Sequence, residues 1–486
     1  MGHPQLCVTV TADSTAELRQ RRDATVDADL IELRLDGVRD VDVSGAIQGR
    51  RTPVIVTCRG VRDGGRFDGS EDERRRMMDE ALTGGAEFVD LEWTGSPDPR
   101  IAVDASRVVL STHLSAFDAG EVEPCYRAMR ATGAAVVKIA APVEHLMDLV
   151  PMAALGLRAA ASRERAVLIG MGPAGAASRL LANRFGACWS YAGSAAPGQI
   201  SAARMVREFR YRDVGVDWEL YGVVGKPVEH SLSPAMHNAG FQAAGRDAVY
   251  LPLAAADADD FFGFAESFGL AGASVTAPFK AAAFERTETS DDIGRRIGAV
   301  NTLRRRGDGW QGMNSDVTGF LEPLTDRLAF EGLRAAVLGA GGAARAAALA
   351  LVEGGASVDV CARVTARAEE TAAVCGAQVG AFPPGPGSWD LLVNATSVGT
   401  SPKSDVSPMP SSALDGRFVY DLVYNPNPTR LMREAAARGC ATLGGLEMLV
   451  AQAERQFEWW TGARPSGSVF ATAAQAGLMD RMERGA

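Results

Sequence analysis

Eight short apolar runs recur roughly every 25 residues over the first 210 positions of this chain. They read LCVTVTA (6–12), DLIELRLD (29–36), PVIVTCR (53–59), EFVDLEW (87–93), VVLSTH (108–113), AVVKIAA (135–141), AVLIGMG (166–172) and CWSYAGS (188–194). Segments of helical character lie between them. The stretch SEDERRRMMDEALTGG (70–85) opens on a serine cap, carries acids in its first turn and closes on glycines. Eight strands alternating with helices predict a (β/α)8 barrel, whose chemistry collects at the C-terminal ends of the strands.

Those ends are polar here. Glu32 and Arg34 end the second run, Arg59 the third and His113 the fifth; Lys138 sits inside the sixth and Met171 in the seventh. A lone Glu or Arg at such a place is as readily a salt bridge inside the barrel. Five ionisable groups gathered there point to a site. Lys138 in an apolar strand implies a pocket that disfavours a charged amine. A neutral amine attacks ketones and forms a Schiff base, whose iminium acidifies the neighbouring C–H. A base is then needed, and His113 on the adjacent strand is the candidate among histidines 3, 113, 145, 230 and 237.

Composition narrows the partners. The net charge is −10, which argues against nucleic acid or an anionic membrane surface. Seven scattered cysteines without a C-x-x-C pair argue against a disulfide framework and against zinc, and suit a reducing cytoplasm. No signal peptide is visible in MGHPQLCVTVTADS, and no run of about 18 apolar residues predicts a membrane span.

The motifs DLIELRLD, VTCRGVRDGG, STH, VVKIA, GMGPAGAASR and APGQIS, in that order over residues 6 to about 202, resemble the type I 3-dehydroquinate dehydratases. The resemblance implies dehydration of 3-dehydroquinate to 3-dehydroshikimate. Lys138 becomes the Schiff-base lysine and His113 the base and acid. Glu32, Arg34, Arg59, Met171, Arg179, Tyr191 and Gln199 become substrate contacts. Two positions depart from the family pattern. Its R-x-x-x-E-G-G is here Arg59 to Asp63-Gly64-Gly65, so Asp63 inherits the support of the histidine with one methylene less. Its serine before A-P-G-Q is Ala195.

The second half reads differently. YGVVG (221–225) is a strand leading into a loop with Ser231 and Ser233, which serve either as helix caps or as ligands. ASVTAPFK places Lys280 just after another strand. IGAVNTLRRRGDGWQGMNSDVTGF reads as a hairpin turning at 307–309, with Asn301 and Asp316 on its arms and Arg304 to Arg306 as a solvated face. In LRAAVLGAGGAARAAALALVEGG a strand ends in Gly339-Ala340-Gly341-Gly342-Ala343-Ala344 and a helix follows, which is a dinucleotide fingerprint in its proper context. The next strand (356–362) ends in Arg363, where an NAD site wants an acid; this arginine either supports the following helix or takes a 2′-phosphate, and the second reading makes NADP(H) the expected cofactor. LLVNATSVG and YDLVYNP read as later strands, and 443–462 as an amphipathic helix carrying Gln452.

G-x-P-x-x-H-S-x-S-P, S-V-T-A-P-F-K, G-A-V-N-T, N-S-D-V-T-G, G-A-G-G-A-A, N-A-T-S and G-G-L-x-M-L-V-x-Q together resemble shikimate dehydrogenase over residues 221 to about 480. The resemblance gives the substrate carboxylate to Ser231 and Ser233. It gives the ring hydroxyls to Thr276, Asn301, Asp316, Tyr424 and Gln452, and proton transfer to Lys280 with Asp316. It gives the cofactor to Gly339, Ala340, Gly341, Gly342, Ala343, Arg363, Thr396, Leu422 and Gly445. The family's N-R-T after the second nucleotide strand is here Ala362-Arg363-Val364, and its N-V-T is Ser274-Val275-Thr276. The expected fold is α/β: a dehydratase TIM barrel over 1–213, a substrate lobe over 219–322, a Rossmann lobe over 323–445 and returning helices over 446–486. No metal is expected. The partners are the small-molecule substrates, with no nucleic acid and no membrane; a homodimer is left open. The barrel's product is the ketone that the second half would reduce. Rival readings are a dehydrogenase of mixed quinate and shikimate specificity, an aldolase-type barrel paired with another oxidoreductase, and a non-catalytic metabolite sensor; retention of Lys138, His113, Lys280 and Asp316 speaks against the sensor.

Overall fold

The computed structural model describes residues 3–96, 98–193, 195 and 198–483; Ala196 and Pro197 of the A-P-G-Q motif lie outside them. The chain forms two compact units, one of residues 1–220, 227–229 and 247–269, the other of the remainder. Among the described residues no helix is long and apolar enough to cross a membrane.

In the first unit eight strands run β1 (Gln5–Thr11), β2 (Leu30–Arg34), β3 (Val54–Thr57), β4 (Phe88–Glu92), β5 (Val108–His113), β6 (Val136–Pro142), β7 (Ala166–Met171) and β8 (Trp189–Ala192). They form one parallel sheet in the order β7-β6-β5-β4-β3-β2-β1-β8. At the seam the Cys188 N–H donates to the Ala166 carbonyl at 3.0 Å, so the ends of the sheet meet and the barrel is nearly closed. Side chains alternate across a strand, and Cys7, Leu30, Ile55, Val109, Val136, Val167 and Trp189 pack into one buried apolar cluster. The helix Glu71–Thr83 starts where the sequence says. The Ser70 hydroxyl accepts the Glu73 N–H, and the Glu73 carboxylate accepts the Ser70 N–H, a reciprocal cap.

The last barrel helix is shorter than the expected 201–212 and spans Ala202–Arg207. Arg210 lies at φ 53°, which a right-handed helix cannot contain, and the turn lets Phe209 and Tyr211 be buried. Strand β10 (Ala248–Ala254) and the helix Ala258–Phe268 belong to this unit. Asp260 on that helix is buried, and its carboxylate accepts the N–H groups of Leu146 and Met147, at 3.0 and 2.9 Å, in the loop after β6.

The second unit holds a mixed sheet and a parallel one. Strands β9 (Glu219–Gly225), β11 (Leu270–Val275), β13 (Thr302–Arg306), β14 (Gly309–Met313) and β12 (Thr289–Ser290) lie in that order in the mixed sheet. β13 and β14 form the expected antiparallel hairpin. Its arginines are not all solvated, however. Arg304 is half-buried, donates to the Trp459 carbonyl and to Gln311, and stacks 4.2 Å from the Trp459 ring, because its apolar stem finds an aromatic face to cover. The parallel sheet comprises β15 (Arg334–Leu338), β16 (Ser357–Cys361), β17 (Gln378–Val379), β18 (Leu391–Asn394), β19 (Phe418–Asp421) and β20 (Ala441–Gly444), in the order β17-β16-β15-β18-β19-β20. The strand order reverses between β15 and β18, which places a ligand crevice at their C-terminal ends. Both faces are covered: Ala335 and Val337 of β15 enter one apolar cluster, Ala336 and Leu338 another.

Candidate active sites

The barrel brings Lys138 to the centre of a buried polar cluster. Its Nζ lies 3.4 Å from Glu32 Oε1, 3.5 Å from Asp90 Oδ2 and 4.2 Å from the centroid of the Tyr191 ring. The apolar pocket expected around this amine is therefore corrected: two carboxylates face it, because β2 and β4 direct acids into the same interior. Glu32 is held by the hydroxyls of Thr9 (2.9 Å) and Thr57 (3.1 Å). Burial pushes the Glu32 carboxyl up, but Lys138, Arg34 and Arg59 outweigh it and leave it below its usual value. Asp90 behaves alike. Burial raises it, while Arg59, Lys138 and the Ser111 hydroxyl take it down to about 2.

Arg59 is buried and already occupied. It donates to Asp90 at 2.8 Å and Ser111 at 2.8 Å, with Glu92 at 3.5 Å. Arg34 grips Asp36 with two hydrogen bonds, 2.7 and 2.9 Å. Arg179 differs. It donates to the Gly170 carbonyl (2.7 Å), its Nε has no hydrogen-bond partner among the described residues, and burial takes it down to about 10, still protonated at neutral pH. A buried guanidinium with donors to spare suits a substrate carboxylate. Gln199 accepts the Ala195 N–H at 2.7 Å, and Met171 is the last residue of β7.

His113 is the last residue of β5. In the β5–β6 register Ser111 stands opposite Lys138 and His113 opposite Ala140, so Ser111 and His113 share a face. Its Nδ1 is buried without a hydrogen-bond partner among the described residues. Burial first, then the Arg59 and Lys138 charges, take the imidazole from 6.5 down to about 2, with Asp90 opposing. His113 is thus neutral, as a base must be. Asp63 lies in the short turn Val61–Asp63, where its charge acts on Arg59 and Glu92; among the described residues no hydrogen bond joins it to His113.

In the second unit, the Lys280 ammonium and the Asp316 carboxylate are 2.5 Å apart. The network continues inward. Asn301 Nδ2 donates to Asp316 (2.7 Å), Ser315 (3.0 Å) and Gln452 (3.4 Å), and Gln456 Nε2 donates to Gln452 (2.9 Å). The Ser274 hydroxyl donates to Gln456 at 2.7 Å. The backbone N–H of Thr276 donates to the Val224 carbonyl, and that of Val275 before it donates to the carbonyl of Asn301. Neither serine of the 231–233 pair caps the following helix by its side chain; the Ser231 hydroxyl instead accepts the Ser233 N–H at 3.2 Å. Burial raises the Tyr424 phenol and the Arg481 charge opposes it.

A family model for type I 3-dehydroquinase matches residues 6–215. Models for the shikimate dehydrogenase substrate-binding domain and for the shikimate 5'-dehydrogenase C-terminal domain match 223–303 and 445–474. A chloroplastic bifunctional 3-dehydroquinate dehydratase/shikimate dehydrogenase of Arabidopsis thaliana is 32% identical over 94% of this chain and 82% of its own. This chain belongs to the bifunctional 3-dehydroquinate dehydratase/shikimate dehydrogenase family. For its second activity, shikimate dehydrogenase (NADP(+)) of Halobacterium salinarum is 42% identical over 50% of this chain and 94% of its own. A solved shikimate dehydrogenase of Thermus thermophilus, in complex with NADP(H) and shikimate, is 37% identical with a TM-score of 0.50, covering 54% of this chain and all of that one.

The family's cofactor is NADP(H), and the residues of this chain fit it. Gly339 lies at φ 112°, and a Cβ there would stand 3.0 Å from the Ala395 carbonyl oxygen and 3.2 Å from the Thr396 methyl. Gly341, at the start of the helix Gly342–Glu353, has nothing within 4 Å of the place a Cβ would take, so a phosphate can approach the helix N-terminus. Ala340 and Ala343 flank that opening. A Cβ on Gly342 would meet the Lys280 side chain at 3.4 Å, which puts the nucleotide turn beside the Lys280–Asp316 pair. A Cβ on Gly445 would collide with the Leu422 carbonyl, so the two expected cofactor contacts are neighbours by backbone necessity. Arg363 is exposed and has no ion-pair partner among the described residues. Arg367, one helical turn on, is in the same state and was not singled out from the sequence.

Other residues were missed as well. Asp90 carries the same signal as Lys138, a charge inside an apolar barrel run. Ser111 and Gln456 carry none, because a hydroxyl in a strand or an amide on a helix is ordinary until its partner is known.

Proposed function

We propose that the two reactions of the family are divided between these two clusters, residue by residue. The observation that carries the reading is the pairing of two lysines with carboxylates: Lys138 between Glu32 and Asp90, and Lys280 against Asp316 beside the nucleotide turn.

In the barrel, the Lys138 ammonium passes a proton to a neighbouring carboxylate and the neutral amine attacks the substrate ketone; one proton shifts from nitrogen to the alkoxide, the carboxyl returns its proton to the resulting hydroxyl, water leaves and an iminium forms. His113, neutral, takes the proton from the adjacent carbon. The electron pair moves into the iminium and the β-hydroxyl leaves as water, with His113 returning the proton. Hydrolysis of the imine frees Lys138. Arg179 holds the carboxylate. Glu32, Arg34, Arg59, Met171, Tyr191 and Gln199 line the substrate, and Asp63 shapes the field at Arg59.

In the second unit, Ser231 and Ser233 take the carboxylate, while Thr276, Asn301, Tyr424 and Gln452 take ring hydroxyls. NADPH, when bound, supplies a hydride to the carbonyl carbon. Lys280 gives the proton to the developing alkoxide, and Asp316 holds the ammonium in line. Arg363, with Gly339 to Ala343, Thr396, Leu422 and Gly445, holds the cofactor. The modules occupy 1–213, 219–322, 323–445 and 446–486. All seven cysteines are unpaired, which supports a reducing compartment such as the cytoplasm, and the charge of −10 supports small-molecule rather than nucleic-acid partners. Assembly, with a homodimer as one outcome, is read by light scattering.

The test is to supply 3-dehydroquinate with and without NADPH and identify products. 3-Dehydroshikimate without NADPH and shikimate with it support the reading; unchanged 3-dehydroquinate overturns the barrel assignment, and 3-dehydroshikimate alone in both arms overturns the second.

A further inference from the structure

The helix Val469–Glu483 brings an arginine to the serine loop from behind. Arg481 is 7% exposed, and its guanidinium donates to two consecutive backbone carbonyls, those of His230 and Ser231, the latter at 2.6 Å. The Ser231 hydroxyl in turn accepts the N–H of Ser233, the first residue of the helix Ser233–Ala243. Arg481 also projects its charge onto Tyr424, whose phenol burial would otherwise push further up. The peptide of one expected substrate contact, Ser231, and through its hydroxyl the N–H of another, Ser233, are thus tied to one guanidinium. A planar fork bridging two successive carbonyls fixes both peptide planes, which a single flexible ammonium does less well.

We propose that Arg481 is a positioning residue for recognition of the substrate carboxylate. It fixes the peptides at His230 and Ser231, so that the Ser231 and Ser233 hydroxyls keep the separation that two carboxylate oxygens require. The inference rests on the assignment of the two serines to the carboxylate.

The test is steady-state kinetics on the full chain. Arg481→Met removes the donors at similar length. The KM for shikimate should rise about ten-fold or more, the size of one lost charge-assisted hydrogen bond. The kcat should stay within about three-fold, and the KM for NADP+ and the dehydratase rate should be unchanged. Arg481→Lys should recover part of the loss. Combining Arg481→Met with Ser231→Ala should cost less than the product of the two single losses, since both act on one carboxylate grip. An unchanged shikimate KM in Arg481→Met, a fully multiplicative double variant, or a parallel rise in both KM values overturns the proposal. Should Arg481→Met not fold, Arg481→Lys decides alone, by the same split between the two KM values. If Ser231→Ala itself leaves the shikimate KM untouched, the serine assignment fails first, and that result is distinct from the failure of Arg481.

Discussion

Lys138 has two carboxylates and an aromatic face within 4.2 Å, and this company decides how it can be tested. Lys138→Ala should abolish dehydration and leave reduction of added 3-dehydroshikimate nearly intact. Borohydride added with 3-dehydroquinate should trap a covalent adduct that mass spectrometry locates on Lys138; an adduct elsewhere, or none, removes the Schiff-base role. His113 gives a pH prediction. Its folded value, about 2, lies below the ordinary 6.5, so protonation of this base is displaced to lower pH. The profile of kcat/KM for dehydration, which reports the free enzyme, should therefore show no acidic limb near pH 6.5. A limb there would mean that His113 titrates normally. Asp63 makes no hydrogen bond to His113 among the described residues, so Asp63→Asn should leave that profile in place; a shifted profile would show that the shorter carboxylate reaches the histidine during turnover. At the cofactor, Arg363→Ala should narrow the preference for NADPH over NADH by about 1–3 kcal/mol, measured as the ratio of kcat/KM values.

Among the elements, one turn shapes the nucleotide site and one helix side chain fixes a barrel loop. Gly339 follows β15 at φ 112° with the Ala395 carbonyl 3.0 Å from any Cβ. Gly339→Ala should raise the KM for NADPH, with the dehydratase rate unchanged as the control for folding. The helix Ala258–Phe268 ties down the loop after β6 through one side chain. The Asp260 carboxylate accepts the N–H groups of Leu146, Met147 and Ala256. Asp260→Ala leaves three backbone donors unpaired, at about 1–3 kcal/mol for each that stays buried. The thermal unfolding midpoint of the first unit should fall and dehydratase activity should be lost at lower temperature; an unchanged midpoint would mean water replaces the carboxylate without loss.

Over the whole molecule, the product of the first activity is the substrate of the second. With 3-dehydroquinate and NADPH the wild-type chain should oxidise NADPH, and Lys138→Ala should oxidise it only when 3-dehydroshikimate is added. Much of this was legible beforehand. The eight apolar runs mark β1 to β8 to within two residues, since a strand buried on both faces needs a short uninterrupted apolar run and the loops between must be polar. The glycines before the helix Gly342–Glu353 announce the nucleotide turn, because only glycine tolerates so close a backbone approach. Lys138 and Lys280 stand out because a charge beside an apolar run is costly. These signals are local, so sequence by itself determines them. What lies around Lys138 is not local. Glu32, Asp90 and Tyr191 reach it from β2, β4 and β8, and the barrel's closure, not any spacing along the chain, turns an expected apolar pocket into a charged one. Arg481 and Ser231 are 250 positions apart and meet only because the last helix packs back on the helix after β9. Burial and charge pairing depend on which surfaces face each other, and only the tertiary structure decides that.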